Sequence, residues 1–359
     1  MINLFNVIGI GQCGCRIAKE FNKIGFNTCY INSDSVDMRD FIVPKDKLLM
    51  LGTSGSGRSP VKGAAILKSN FTIFSDFMDI HLQRDALNLF VIGMGGGTGG
   101  GMIIPVLEYA QEKDIKVGVL ATLPPKLSGM LDMDNAMRVL KKLRTVDMNM
   151  FILADNEYLI EKVGLSTEWW QRINYYILTK VIAAFDILRD NKTSQKGIGS
   201  IDMGELSRIL QYGKGLLDIR DIYFTLPDEL SISDEELKEK LFEPSLINGY
   251  NYKDTLFYLI SIDVPDKGGY TEFASRVFKI TKGSFGSALA RIGMFIDPIL
   301  SKSIRVTIIT AGLKLPKVLR SKINNLKRDS IRHEIKKNKL DSVDFTDMDE
   351  ISINDDFDL

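Results

Sequence analysis

The sequence predicts an α/β protein: a Rossmann-like, doubly wound domain, a long central helix, a second, smaller α/β domain, and a charged C-terminal helix and tail. Three observations carry this reading. Between residues 5 and 155 short β-rich runs alternate with helical stretches, the order that builds a parallel sheet from β-α-β units. The apolar run Leu89 to Ile92 feeds Val91 to Gly101, seven glycines in eleven residues, which opens into Met102 to Leu107. Residues 169–188 are helical in pattern and too apolar to be exposed, so that helix is expected between two bodies.

A chain of 359 residues has room for two cores and a tail. With Lys+Arg 46 against Asp+Glu 46, no global charge draws it to nucleic acid or to an anionic membrane surface. No apolar run reaches the length of a membrane span, and Met1 to Ile10 reads as a strand, not a signal peptide, so a cytoplasmic protein is expected. Cys13, Cys15 and Cys29 suit a reducing compartment and read as small residues in tight packing rather than metal ligands. The two histidines, His81 and His333, are both expected on the surface, which leaves little for a mechanism built on a histidine base.

Strands are expected at Phe5 to Ile10, Thr28 to Ile31, Lys47 to Leu51, Leu89 to Met94, Val117 to Thr122 and Met150 to Ala154. In such sheets ligands lie beyond the carboxyl ends of the strands, so the residues after each run matter most. The first is followed by Gly9, Gly11 and Gly14 in a loose Gly-x-Gly-x-x-Gly pattern, and the second by Asn32-Ser-Asp34, where Asp34 is placed for a ribose hydroxyl. The third leads into Gly52 to Arg58, a polar loop whose Arg58 either meets a terminal phosphate or is a solvated cation.

The fourth enters the glycine stretch, where backbone amides and a helix start suit a phosphate chain and Thr98 adds a hydroxyl. It is not a P-loop, because no Gly-Lys-Ser/Thr ending occurs. Three glycine loops at one sheet edge exceed what a nicotinamide enzyme needs and suit a nucleoside triphosphate. Trp170 and Asn174 lie one helical turn apart, so the ring could stack on a base whose edge the amide bonds, or the ring could be ordinary core.

A polar break, Arg189 to Gly199, precedes Asp202 and Glu205, whose spacing also fits a capping box. Further strands are expected at Asp221 to Leu226, Leu256 to Val264, Ala288 to Phe295 and Arg305 to Thr310. Residues 317–339 carry nine basic against two acidic side chains, net +7, over an apolar stripe of Leu319, Ile323 and Leu326; residues 340–359 carry eight acids and no base. That pair is either a self-neutralising tail or a partner-binding one.

These residues resemble the tubulin/FtsZ superfamily of polymerising GTPases over about residues 3–313. Gly93 to Gly101 looks like its phosphate motif, Gly11-Gln-Cys-Gly14 reads as in tubulin, and Asn32-Ser-Asp34 is similar to an FtsZ motif. Asn156 falls at the FtsZ turn asparagine, Trp170 and Asn174 keep the spacing of its guanine-holding pair, and Arg305 to Gly312 is similar to its late Arg-Val-Thr strand. Two departures stand out. Ser128-Gly129 replaces the Glu-Gly of FtsZ without the Arg that follows there, and Ser200 stands where an Asn is usual.

The resemblance implies GTP/GDP and Mg²⁺, with nucleotide contacts from Gly11, Gln12 and Cys13; Asn32; Gly55, Ser56 and Gly57; Gly95, Gly96, Gly97, Thr98 and Gly99; Asn156; Trp170 and Asn174. It implies Asp202 and Glu205 as the catalytic acids that orient water at the neighbouring subunit's nucleotide, in a head-to-tail filament. It also implies a division into a GTP-binding domain (1–168), central helix (169–190), catalytic loop with its helix (191–210), activation domain (211–313) and basic helix with acidic tail (314–359). Divergence of this degree together with the charged tail looks most like the plasmid- and phage-borne TubZ branch, whose members move DNA through a DNA-binding adaptor. An FtsZ-type division protein is the alternative within the superfamily, and a Rossmann oxidoreductase the alternative outside it; metal ligands are not assigned.

Overall fold

The computed structural model describes residues 5–39, 41–52, 54–186, 193–194, 215–266 and 268–325. Asp202, Glu205, Ser200, His333 and the whole acidic tail lie outside the described residues. Six parallel strands come first: β1 (Phe5–Ile10), β2 (Asn27–Asn32), β3 (Leu48–Met50), β4 (Leu87–Gly93), β5 (Val117–Leu123) and β6 (Met150–Asp155). β7 (Thr193–Ser194), β8 (Leu216–Thr225), β9 (Phe257–Val264), β10 (Leu289–Ile296) and β11 (Ser303–Leu313) follow. All lie in one sheet, in the order β3-β2-β1-β4-β5-β6-β8-β11-β9-β10-β7. Every expected strand forms. β8 begins at Leu216 rather than Asp221, because Leu217 pairs with Ile152 of β6 and Leu216 with Leu313 of β11, which joins the parallel half to the mixed half.

The helices are α1 (Gly11–Lys23), α2 (Pro60–Ser69), α3 (Phe71–His81), α4 (Gly97–Glu112), α5 (Met130–Leu143), α6 (Asn156–Val163), α7 (Trp169–Asp186), α8 (Asp234–Phe242) and α9 (Thr271–Phe285). β1 is buried along its whole length because helices cover both faces of the parallel half. Its side chains alternate accordingly. Phe5 and Val7 join a core with Ile17 of α1 and Ile177 of α7, while Ile8 and Ile10 join one with Leu67 of α2, Phe74 of α3 and Met102 of α4.

α7 is buried as expected, through Ile173, Ile177, Leu178, Val181 and Ala184, and packs on α1, α6, β8 and β11. The mixed half turns Val306, Ile308, Ile260 and Ile262 toward Leu237 and Leu241 of α8 and Val277 of α9. Residues 317–325 are helical, and Leu319 and Ile323 of the expected stripe are buried in the layer of α4 and α5; Leu326 lies outside the described residues.

One surface expectation is overturned. His81 is only 8% exposed: its ring lies against Phe77, and Nε2 is 2.8 Å from the carbonyl oxygen of Asp46. The last turn of α3 faces inward, where the His81 carbonyl accepts from Asn6 Nδ2, and burial lowers the imidazole pKa.

Candidate functional site

The strand order reverses between β1 and β4, so the helices that follow them leave on opposite faces of the sheet and open a crevice at the strands' carboxyl ends. A cavity of about 580 Å³ fills that crevice. It is lined by Gly11, Gln12, Cys13, Gly55, Ser56, Gly57, Gly95, Gly96, Gly97, Thr98, Gly99, Asn156, Trp170 and Asn174 from the sequence reading. Asn32 does not line it. The last residue of β2, it is fully buried, and Oδ1 accepts from the Ser33 amide at 2.8 Å.

Two of the helices that meet the cavity start open. α1 and α4 have neither a side-chain hydrogen bond at the cap nor an acid in the first turn, so free amides and the positive ends of two helix dipoles face one space. Gly11 has φ +71°, and a Cβ there would lie 2.9 Å from the Gly99 nitrogen, so the two helix starts abut. The rest of the glycine run has a second purpose. A Cβ on Gly97 would sit 2.3 Å from Ser56 Oγ, and one on Gly101 2.2 Å from the Pro60 carbonyl oxygen, so these glycines let α2 and its loop press on α4.

Thr98 is buried, and its hydroxyl is already engaged, 2.7 Å from Ser33 Oγ and 3.2 Å from Ser56 Oγ. It ties three loops together beneath the cavity. Asp34 also holds a loop: Oδ1 accepts from the Val36 amide at 2.8 Å, and the carboxylate packs against Gly55. Asp37 accepts from Gln12 Nε2 at 2.7 Å, and burial, with Asp34 nearby, raises its carboxyl pKa.

Arg16, Asp132 and Asn135 escaped the sequence reading. Arg16 lines the cavity, with its guanidinium 4.6 Å above the Trp170 ring. Asp132 sits 3.7 Å from Arg58 and against Gly95, and its Oδ1 is buried without a hydrogen-bond partner. Asn135 donates to the carbonyls of Arg58 at 2.8 Å and Gly95 at 3.2 Å, binding two glycine loops together. The acid absent at Ser128 is thus present one turn along, on the first turns of α5. A usable signal existed: Asp132 and Asn135 share a helix face immediately after a strand whose end should meet ligand.

At the far end, Trp170, the buried amide of Asn174 and Asn156 come together, and Asn156 Oδ1 is a buried acceptor with no partner. Burial raises the Cys13 thiol pKa, and Sγ is 3.4 Å from Thr122 Oγ1. Among the described residues no lysine lines the cavity, where backbone amides, Arg16 and Arg58 face an oxyanion. No group of three or more His, Cys, Asp or Glu suited to a metal occurs among the described residues. The arrangement suits a ligand with a phosphate chain at one end and a flat, hydrogen-bonding ring at the other.

Residues 5–164 match the Tubulin/FtsZ family, GTPase domain. The chain is 27% identical over 215 residues to the tubulin-like protein CetZ of Pyrococcus abyssi, covering 57% of each chain. It is 28% identical over 199 residues to the tubulin-like protein TubZ of Bacillus cereus, covering 48% of this chain and 45% of that one. These matches span about half the length of the two relatives. The fold is that of a GTPγS-form protofilament of TubZ from Bacillus thuringiensis serovar israelensis, at TM-score 0.75 and 18% identity, covering 92% of this chain and 94% of that one. No helix among the described residues is long and apolar enough to cross a membrane.

Proposed function

We propose, from the match of residues 5–164 to the Tubulin/FtsZ family GTPase domain, that this protein binds GTP in the β1/β4 crevice, assembles head to tail into filaments and hydrolyses GTP within them. The observation that carries the reading is the convergence of two uncapped helix starts on one cavity with an aromatic ring and two amides at its other end. The triphosphate lies on the amides of Gly11 to Cys13 and Gly95 to Gly99. Asn156 and Asn174 bond the edge of guanine, Trp170 packs on its face, and Asp132 supplies the acid for the ribose. Mg²⁺ bound with the phosphates would neutralise the charge that develops on transfer.

Phosphoryl transfer to water needs a positioned water and charge stabilisation rather than a covalent nucleophile. Asp202 and Glu205 of the adjoining copy fill that role, so each subunit completes the next one's site, and the contact is heterologous and open-ended. Replacing either acid by Ala is expected to leave GTP binding intact, stop hydrolysis and yield static filaments; undiminished turnover in both variants would remove them from the mechanism. Turnover per molecule should rise steeply with protein concentration. The primary test is light scattering and electron microscopy with GTP, GDP and a slowly hydrolysed analogue. A protein that stays dispersed and ignores guanine nucleotides at every dose sinks the reading.

The finer role we infer is movement of plasmid or phage DNA through a DNA-binding adaptor held by residues 340–359. Its support is the eight-acid tail and the TubZ likeness, although the match to CetZ covers more of the chain. Deleting residues 340–359 should spare GTP hydrolysis and weaken adaptor capture. Unchanged capture refutes it.

A further inference from the structure

The two arginines that line the cavity have different surroundings. Arg58 lies 3.7 Å from Asp132, which packs on Gly95 beside the open start of α4, and its side chain is 65% exposed. Arg16 projects from the second turn of α1, half-buried, with its guanidinium 4.6 Å above the ring of Trp170. Among the described residues no ion pair or hydrogen bond holds that guanidinium. Asp37, which also lines the cavity, accepts instead from Gln12 Nε2 at 2.7 Å.

Arg16 therefore belongs with Trp170, Asn156 and Asn174, at the end of the cavity that suits a flat ring. Recognition of a base there depends on groups that can only donate or only accept. Asn156 and Asn174 each carry an amide with both a donor and an acceptor, so turned one way they match guanine and turned the other they match adenine. The Trp170 ring stacks on either base. A guanidinium only donates. Guanine presents two neighbouring acceptors, O6 and N7, which a guanidinium bonds as a pair, whereas adenine sets an amino donor beside N7. Of these four side chains, Arg16 alone has chemistry that separates the two purines.

α1 and α7 share one core through Ile17 and Ile177, so the ring face under Arg16 is the one turned toward α1. That face cannot hold a guanidinium and a stacked base together. A base that packs on it moves the guanidinium to the base's edge, within reach of its flexible stem. We propose that Arg16 selects the base: with guanine on Trp170, its guanidinium donates to O6 and N7, and Arg58 is left to the phosphates. The inference rests on the guanine-nucleotide site proposed above and adds what decides the base.

The test is calorimetric titration of the full chain with GDP, ADP and 7-deaza-GDP, in which a carbon replaces N7. Diphosphates are used so that hydrolysis and assembly do not enter the titration. The unsubstituted protein should bind GDP about 100-fold more tightly than ADP and about tenfold more tightly than 7-deaza-GDP, the scale of a bidentate arginine contact to a guanine. Arg16→Gln, whose amide can turn to suit either purine, should cut the first preference at least about tenfold and abolish the second, with Tm unchanged. Should Arg16→Gln not fold, Arg16→Met, a stem of similar length without donors, is read in the same way.

A preference for GDP over ADP that survives the substitution overturns the proposal. So does an equal loss for all three nucleotides, which would make Arg16 a second cation for the phosphates they share. So does a 7-deaza-GDP that the unsubstituted protein binds as tightly as GDP. If the unsubstituted protein binds no guanine nucleotide at all, the reading beneath this one has failed, and that is seen before any variant is compared.

Discussion

At α2, α6 and α8 the first turn is closed by a side chain: Ser59 accepts from the Lys62 amide, Asp155 from Glu157 and Ser233 from Glu236, the last in a full capping box. At α1 and α4 the corresponding amides have no side-chain partner and no nearby acid. Caps of the first kind are worth about 1 kcal/mol each, so leaving two helices open, side by side, forgoes stability that the same chain gains elsewhere. α3 also starts without a side-chain cap or a nearby acid, but it does not line the cavity; at α1 and α4 the open starts face the cavity together, where they suit an anion that arrives from solvent. Closing them should help folding and end binding, whereas opening the others should do the reverse.

The largest expected effect tests that opposition directly. Gly96 is the cap position of α4 with φ −79° and ψ 160°, and a Cβ there would find nothing nearer than the Gly93 oxygen at 3.9 Å. Gly96→Asp therefore fits, caps the helix and places a negative charge where the phosphates lie. Calorimetric titration should show GTP affinity reduced by at least about 100-fold, while thermal stability is unchanged or higher by a few tenths of a kcal/mol. Retained affinity would mean that the open amides of α4 are not the phosphate seat.

At the other end of the cavity, Trp170→Ala should weaken GTP by about 10- to 100-fold through loss of stacking worth about 1–3 kcal/mol. Unlike Gly96→Asp, it should weaken guanosine as much as the triphosphate. A loss confined to GTP would place the ring beside the phosphates instead of the base. The smallest effect comes from the closed group: Ser233→Ala in α8 should cost about 1 kcal/mol of unfolding free energy and leave GTP affinity untouched. A change in affinity there would break the separation between the two kinds of helix start.

Much of this architecture was legible in the order of residues. Parallel strands buried on both faces read as continuous apolar runs, so Phe5 to Ile10 and Leu89 to Ile92 announce themselves. The density of glycine at Gly93 to Gly101 marks a backbone that something must approach. Spacing along one helix put Trp170 and Asn174 together correctly, because residues one turn apart share a face whatever surrounds them.

The tertiary structure alone decided which way side chains turned and which distant residues met them. Asn32 and Thr98 belong by sequence to ligand loops, yet one is fully buried behind the cavity lining and the other spends its hydroxyl on Ser33 and Ser56. Asp132, Asn135 and Arg58 meet across 74 or more positions of chain, and Arg305 donates to Asp186 across 119, which no local pattern encodes. Even the glycine run divides its labour by contact: Gly96 faces open space while Gly101 yields to the backbone of α2. Local chemistry thus set the elements and the kind of ligand they invite. Long-range packing chose the partners, because direction and proximity are properties of the folded chain rather than of its order.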